Sequence, residues 1–384
     1  MIVLVAPDSF KGSLTSVQVA RAIADGWRRV RPDDTIRLAP LADGGEGTLD
    51  AIEAAGGWTR RSTRVTDPIG RAIDGTWLER RANATDGVEA VVELATASGL
   101  SRLRSDERDP LGATTRGTGE LILAAIAAGA RSLTLGIGGS ATNDGGRGIV
   151  EALRGSVGTD GSVDLAALDT RLAEVDLRVA CDVDNPLLGS RGAAATYGPQ
   201  KGASPDDVHT LDGRLGGWAD AVDAATGRHE RDTPGAGAAG GVGYALLALQ
   251  DRFRSFALQP GIELVMAATG FKAALADADL VITGEGRIDA QTAFGKTALG
   301  VARRASEAGI PSIAVGGGVT AEGVEALAAF GTIVVPVVER PMSVDEAMAA
   351  GPAPIERAAE RIARLVTVAA NAAAGAGAIA GARS

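Results

Sequence analysis

A glycine-rich stretch, GIGGSATNDGG, occupies residues 136–146, directly after the apolar run Ser132–Leu135. Five of its eleven residues are glycine, and most of the others are small or polar. A loop of this composition presents many bare backbone N–H groups at the end of a predicted strand, where such groups bind phosphate oxygens. We therefore predict that this loop forms a cradle for phosphate groups.

Five further apolar runs are also followed by loops that carry charged residues or several glycines. These loops are Pro7–Ser13, Asp43–Thr48, Asp182–Pro186, Gly284–Asp289 and Gly316–Gly318. The carboxyl ends of the strands face the ligand crevice in open α/β sheets, and carboxylates placed there suit Mg²⁺. One such loop is most often only a turn. Six of them together favour a site for a phosphate and its metal.

Two stretches resemble nucleotide-binding motifs without meeting their requirements. Residues Gly235–Gly240 fit the pattern G-x-G-x-x-G, but no strand precedes them, as a dinucleotide-binding fingerprint requires. We interpret them as a flexible, phosphate-facing loop that starts a helix at Gly241. Residues Ala290–Thr297 resemble a P-loop with alanine in place of the first glycine, and no strand is predicted to end just before them. Lys296 is still placed to reach a phosphate.

Composition excludes several classes of protein. The formal net charge is −10 and basic clusters are short, which argues against a nucleic-acid partner. The only cysteine, Cys181, lies in an apolar run and rules out an internal disulfide. The two histidines lie in polar segments, which disfavours a Ser-His-Asp hydrolase and a histidine-rich zinc site. The first residues of the sequence do not resemble a signal peptide, and no apolar run is long enough to span a membrane. We therefore expect a cytoplasmic protein.

Alternating β-branched runs and alanine-rich stretches predict an α/β fold of two α/β domains. Residues 1–62 and 262–370, from both ends of the chain, are expected to form a parallel-sheet, Rossmann-like domain. Residues 63–261 are expected to form an inserted mixed α/β domain, because residues 76–80 and 88–94 read as strands without an intervening helix. The Ala/Gly-rich tail, 371–384, is expected to be frayed.

The sequence resembles the bacterial glycerate kinase type I family. The motifs that carry the resemblance are APDSFKGSLTS, PLADGGEGT, TTRGTGELI, GIGGSATNDGG, ACDVDNPLLG, GPQKGA, GAGAAGGVGYAL and ITGEGRIDAQTAFGKTALGVA. They occur in order from residue 5 to about residue 303. The resemblance implies ATP- and Mg²⁺-dependent phosphorylation of glycerate, with 2-phosphoglycerate favoured over 3-phosphoglycerate as the product, by a monomer or homodimer.

Phosphoryl transfer depends on positioning and on neutralising charge. We predict Asp182 as the base near the attacking hydroxyl, with Asn185 orienting, although an Asx-turn at a strand end would also explain this aspartate. Lys11 would bind the glycerate carboxylate or the moving phosphoryl group, and Arg287 would stabilise the charge on that group.

The other predicted site residues are grouped by the ligand they would contact. Those for the substrate are Asp8, Ser9, Asp43 and Glu46. Those for the phosphates of ATP are Gly138, Gly139, Ser140, Thr142, Gly240, Gly241 and Lys296. Those for the metal are Asn143, Asp144, Glu285 and Asp289.

Three alternatives remain open at the level of sequence. One is a kinase that acts on another small hydroxy acid. The second is an NAD-dependent dehydrogenase, which would need the fingerprint that this chain lacks. The third is a non-catalytic sensor of a small anion, which would not need so many acidic residues beside glycine-rich loops.

Overall fold

A computed structural model describes residues 1–81, 87–290 and 297–381 of the chain. The chain divides into two compact units. The first unit comprises Met1–Ala42, Asp50–Ala55 and Met266–Ser384, and the second comprises Asp43–Leu49 and Gly56–Val265. The segment Asp43–Leu49, which was predicted to lie in the first domain, thus belongs to the second unit. The domain boundaries inferred from the sequence stay a prediction.

The first unit contains one parallel sheet with helices. Its strands are β1 (Ile2–Val5), β2 (Thr35–Leu38), β11 (Leu280–Ile288), β12 (Ser312–Val319) and β13 (Ile333–Pro336). Their order among the described residues is β13-β12-β11-β1-β2, and every neighbouring pair is parallel. The helices are α1 (Ser16–Arg28), α10 (Phe271–Ala276), α11 (Thr297–Glu307), α12 (Ala321–Ala328), α13 (Val344–Ala349) and α14 (Ala353–Gly381). The prediction of a parallel sheet built from both chain ends is therefore confirmed.

The second unit contains a mixed sheet. Its strands are β3 (Thr59–Thr66), β4 (Ala72–Arg81), β5 (Val88–Glu93), β6 (Ala130–Gly136), β9 (Asp176–Ala180) and β10 (Ser255–Gln259), with a small hairpin of β7 (Ser156–Val157) and β8 (Val163–Asp164). The order within the described part is β10-β9-β6-β5-β4-β3. The pairs from β10 to β5 are parallel, whereas β4 pairs antiparallel with both β5 and β3.

The helices of the second unit surround an aliphatic core that also contains Trp218 and Tyr244. They are α3 (Ala95–Ser98), α4 (Arg116–Ala127), α5 (Arg147–Ala152), α6 (Ala193–Tyr197), α7 (Pro205–Thr226) and α8 (Ala238–Ala248). Two further helices, α2 (Thr48–Ala54) and α9 (Gly261–Thr269), carry the chain from one unit to the other. No helix among the described residues is long and apolar enough to cross a membrane.

Local features of several helices follow from the sequence. A capping box begins α1, because the Thr15 side chain accepts from the N–H of Gln18 and the Gln18 side chain accepts from the Thr15 N–H. Gly270, which has a φ of +69°, separates α9 from α10. Helix α14 extends through the Ala/Gly-rich tail to Gly381, consistent with the high helix propensity of alanine, and the expected fraying of this tail stays a prediction.

Strands β11 and β12 are longer than predicted. Residues Gly284–Ile288 and Gly316–Gly318, predicted as loops, are paired strand residues, with Glu285 opposite Gly316 and Arg287 opposite Gly318. Glycine supplies no side chain to mark a strand period, so the sequence pattern ends too early here. Because β11 ends at Ile288, a strand does precede the P-loop-like stretch that begins at Ala290, and the prediction that none ends there is wrong.

Candidate active site

The glycine-rich loop follows β6 and lies in the interior of the second unit. Ser140, Thr142 and Asn143 are all buried, and Thr142 is fully inaccessible to solvent. The N–H of Gly138 donates to the carbonyl of Gly44 at 3.2 Å, and the N–H of Ala141 donates to the carbonyl of Ser98, the last residue of α3, at 2.9 Å. The loop is thus held on two sides by backbone contacts rather than being a mobile turn.

Asp144 organises the far end of this loop. Its Oδ2 accepts from the backbone N–H and the hydroxyl of Thr115, both at 2.8 Å, and from the N–H of Gly148 at 3.1 Å. Its Oδ1 accepts from the N–H of Gly146 at 3.1 Å. Burial raises the pKa of the Asp144 carboxyl, and these hydrogen bonds oppose that shift. Both oxygens are therefore committed to the loop and to the start of α5, and a role as metal ligand stays a prediction.

A buried lysine that was not among the predicted site residues lies against the same loop. Lys201, at the end of a single helical turn over Pro199–Lys201, is 2% exposed. Its Nζ donates to Ser140 Oγ at 2.9 Å, to the Thr142 carbonyl at 2.5 Å and to Asn143 Oδ1 at 3.5 Å. Burial lowers the pKa of Lys201 to about 7, and the negative charge of Asp144 acts against this shift.

A signal for this lysine existed in the sequence. Lysine is rare in this chain, which uses arginine for most of its 38 basic residues. Lys201 stands beside glycine in the motif GPQKGA, as Lys11 and Lys296 also stand beside glycine. A lysine beside glycine in a chain that otherwise uses arginine is consistent with a position that needs a compact ammonium group.

The predicted phosphate-facing glycines of α8 pack directly on the loop. The carbonyl of Gly240 accepts from the N–H of Gly145 at 3.0 Å. A Cβ built on Gly240 would lie 1.9 Å from the Thr142 carbonyl oxygen, and the backbone there is left-handed with a φ of +71°. Gly241 is equally buried. Both glycines therefore permit close approach of two backbone segments, and their contact with a phosphate stays a prediction.

Asp182 follows β9, the strand next to β6, and the residue as a whole is exposed to solvent. Its Oδ1 accepts from the N–H of Gly261 at 3.0 Å. The atoms packed around the Asp182 carboxyl nevertheless desolvate it and raise its pKa to about 6; the hydrogen bond from Gly261 opposes this shift, and the negative charge of Asp43 adds to it. A carboxylate with this pKa is ionised at neutral pH and still basic enough to accept a proton.

The loop that contains Asp43 lies between the glycine-rich loop and the end of β9. A Cβ on Gly44 would be 2.5 Å from the Cβ of Ala180, and its carbonyl is the one that Gly138 contacts. The buried carboxylate of Glu93, which was not predicted, accepts from the N–H groups of Gly47 and Leu49 and holds this segment. Glu46 is exposed on the same loop.

Asn185 is engaged with its own loop. Its Nδ2 donates to the Arg191 carbonyl at 2.8 Å and to Thr196 Oγ1 at 3.3 Å, and its Oδ1 accepts from the hydroxyl of Tyr197 at 2.6 Å. These bonds occupy the amide without contacting Asp182. The predicted orienting role for Asn185 therefore stays a prediction that these contacts do not support.

The remaining predicted residues belong to the first unit. Asp8 is buried after β1, where its Oδ2 accepts from the Thr297 hydroxyl at 2.6 Å and its Oδ1 from the N–H of Ser9 at 2.6 Å. Its own N–H donates to the carbonyl of Gly284 on β11 at 2.8 Å. Lys11 is exposed. The side chain of Asp8 thus ties the end of β1 to the start of α11.

The end of β11 carries the other polar residues of this unit. Glu285 is buried on the strand. Arg287 is exposed and pairs with Asp289, with 2.8 Å between Nε and Oδ2. Lys296 lies outside the described residues. Within the described ranges, no group of three or more histidine, cysteine, aspartate or glutamate residues converges in a way that could hold a metal ion.

Comparisons with known proteins show the family of the chain. The model of the glycerate kinase family matches residues 3–367. The chain is 44% identical to the glycerate kinase of Halalkalibacterium halodurans over 377 residues, which are 94% of this chain and 97% of that protein. It is also 44% identical to the glycerate 2-kinase of Escherichia coli K12 over 335 residues, 83% and 86% of the two chains. A crystal structure described as putative glycerate kinase 2 from Salmonella typhimurium LT2 superposes with a TM-score of 0.81 at 39% identity, covering 97% of this chain and 99% of that one.

The fold and these relatives define the class of the protein, which is an α/β kinase. More specifically, the chain belongs to the glycerate kinase family, and the resemblance inferred from the eight sequence motifs is confirmed.

Proposed function

We propose that this enzyme transfers the γ-phosphoryl group of ATP to a hydroxyl of D-glycerate in a Mg²⁺-dependent reaction and forms 2-phosphoglycerate. The observation that carries the proposal is the juxtaposition of two loops. The glycine-rich loop and Asp182 follow β6 and β9, which are parallel neighbours, so both lie at the same edge of one sheet. A phosphate cradle beside a basic carboxylate is the equipment that phosphoryl transfer to an alcohol requires.

The glycine-rich loop suits the phosphates of a nucleotide. Two of its buried polar atoms, Thr142 Oγ1 and Asn143 Nδ2, have no hydrogen-bond partner within the described chain. Buried polar atoms normally have a partner, so these two are consistent with a ligand that supplies one. Phosphate oxygens are acceptors and match the amide and hydroxyl donors of this loop.

In the proposed reaction Asp182 acts as the base. The glycerate hydroxyl gives its proton to the Asp182 carboxylate while its oxygen forms a bond to the γ-phosphorus. The bond between that phosphorus and the bridging oxygen breaks, and ADP leaves with the electron pair. The pKa of Asp182, raised to about 6 mainly by desolvation, leaves the carboxylate ionised at neutral pH.

Magnesium fits the donor set of the chain. This ion keeps much of its water and commonly needs only one or two carboxylates beside the oxygens of a substrate phosphate, so a cluster of three is not required. The predicted metal ligands, Asn143 and Asp144 in the second unit and Glu285 and Asp289 in the first, stay predictions. When bound, the ion would neutralise charge on the phosphates.

Product analysis tests the proposal. The enzyme is incubated with Mg-ATP and D-glycerate, with L-glycerate, glycolate and lactate as parallel substrates, and the product is assigned by ³¹P NMR. Turnover on D-glycerate with a 2-phosphate signal supports the proposal. A 3-phosphate signal, or preferred turnover on another hydroxy acid, would refute the corresponding part of it.

A matched pair of variants tests the base. Asp182→Asn removes the proposed base, whereas Asp184→Asn makes the same chemical change at an exposed aspartate two residues away, whose ion pair with Arg191 is also exposed. We expect Asp182→Asn to lower kcat by a factor of about 100 or more, as is usual for loss of a general base, and Asp184→Asn to leave it within about twofold. Equal activities of the two variants would exclude Asp182 as the base.

A further inference from the structure

The Nζ group of Lys201 donates three hydrogen bonds, all of them to the glycine-rich loop. An ammonium group has three protons and accepts none. The three protons of Lys201 go to Ser140 Oγ, the Thr142 carbonyl and Asn143 Oδ1. A lysine that is 2% exposed and makes three contacts to one loop, 58 to 61 residues away in the chain, is built into that loop rather than placed on the surface.

These three contacts occupy acceptor atoms of the loop, whereas the N–H and O–H donors of the same residues do not contact Lys201. Because Asn143 directs its Oδ1 towards Lys201, its Nδ2 points elsewhere, and that atom is buried without a partner in the described chain. Thr142 gives its carbonyl to Lys201, and its hydroxyl is also buried without a partner among the described residues. Ser140 accepts from Lys201, so the hydrogen of its own hydroxyl is turned away from the lysine.

We infer that Lys201 is a positioning residue that occupies the side-chain oxygen of Asn143 and thereby leaves the N–H and O–H donors of the segment Ser140–Asn143 to the anionic oxygens of a substrate. The inference rests on the proposed function and deepens it, because it names the residue that orients the cradle. The common chemistry is a group with several negatively charged oxygens. Two substrates of the proposed reaction carry such a group: ATP has its phosphates, and glycerate has its carboxylate.

The first test removes a donor that has no partner among the described residues, the Thr142 hydroxyl, without changing the contacts of Lys201. Thr142→Val keeps the shape of the side chain and the backbone carbonyl while it deletes the hydroxyl. Removing a buried donor that lacks a partner should raise the Tm of the ligand-free protein, whereas binding of the anion should weaken at least tenfold. A residue with a purely structural role would instead lower the Tm and leave affinity unchanged.

The second test removes the cation. Lys201→Met is compared with Lys272→Met, which makes the same change at an exposed lysine on α10. Affinities for Mg-ATP, ADP and D-glycerate are measured by isothermal titration calorimetry, together with kcat and KM. We expect Lys201→Met to weaken one of these ligands at least tenfold and raise its KM more than it lowers kcat, while Lys272→Met behaves as the wild type.

The outcomes separate the two sources and the two proposals. Weaker Mg-ATP and ADP binding identifies phosphate as the occupant, and weaker D-glycerate binding identifies the carboxylate. Unchanged affinities in Thr142→Val overturn the inference and mean that water fills the pocket; this variant also decides the matter if Lys201→Met does not fold. A wild-type protein that binds ATP without phosphorylating glycerate would refute the proposed function and leave the anion pocket intact.

Discussion

Replacing Gly240 with alanine tests the close packing of Gly240 against Thr142 in the glycine-rich loop. The φ of Gly240 is +71°, which costs an alanine about 1–2 kcal/mol. Its Cβ would lie 1.9 Å from the Thr142 carbonyl oxygen, where real Cβ contacts are essentially never below 3.0 Å. The two backbone segments must therefore separate by about an ångström, and overpacking of this kind costs about 1–3 kcal/mol more.

Gly227 provides a matched control for this substitution. It has nearly the same conformation, with a φ of +72°, and no atom lies within 4 Å of a Cβ built on it. Gly227→Ala should therefore lose only the backbone contribution of about 1–2 kcal/mol. The difference between the two variants isolates the contact with Thr142, and the gain that alanine brings by restricting the unfolded chain cancels between them.

Thermal unfolding and steady-state kinetics check this prediction. At about 2–4 °C per kcal/mol for a unit of this size, Gly240→Ala should lower Tm by roughly 2–12 °C more than Gly227→Ala. Because the Thr142 carbonyl accepts from Lys201, displacement of Thr142 should also raise the KM for the substrate that binds this loop, ATP or D-glycerate, in Gly240→Ala alone. Equal Tm values and equal KM values in the two variants would refute the close packing of Gly240 on the loop.

Three further predictions concern the carboxylates. With Asp182 as the base and its pKa near 6, kcat/KM should fall about tenfold for each pH unit below that value. Asp43→Asn removes a negative charge that raises the pKa of Asp182, so the acidic limb of the pH profile should move to lower pH. An acidic limb that does not move would contradict the assignment of Asp182 as the base. In Gly261→Ala, the new Cβ would lie 2.0 Å from the Asp43 carbonyl oxygen and 2.9 Å from Asp182 Oδ2. We expect kcat to fall at least tenfold while the affinity for ATP is retained. A proportional loss of kcat and of ATP affinity would argue against an effect confined to Asp43 and Asp182. Thr297→Val removes the hydrogen bond to Asp8 and should lower the free energy of unfolding by about 1.5–3 kcal/mol in urea titrations; an unchanged midpoint would mean that Asp8 does not depend on this contact.

The alternation of apolar runs and alanine-rich stretches predicted the α/β class because that signal is local. Strand β3 escaped prediction because it lies at the edge of its sheet and carries three arginines and three threonines, without an apolar run. The ends of β11 and β12 escaped because their glycines carry no pattern.

The predicted site shows the same limit. Its loops could be found, since glycine and aspartate after an apolar run are visible in the sequence. Lys201 could not be assigned, because its partners Ser140, Thr142 and Asn143 are 58 to 61 residues away and meet it only in the folded unit. Asp144 suited a metal by residue type, whereas its four hydrogen bonds to Thr115, Gly146 and Gly148 emerge only from the structure.

The most direct test of the central claim is the ³¹P NMR spectrum of the product formed from Mg-ATP and D-glycerate by the wild type and by Asp182→Asn. We expect the wild type to accumulate ADP and 2-phosphoglycerate in equal amounts, and Asp182→Asn to bind ATP normally but form product at least about 100-fold more slowly. Phosphoglycerate formation by Asp182→Asn at the wild-type rate, or release of ADP and free phosphate without phosphoglycerate by the wild type, would contradict the account.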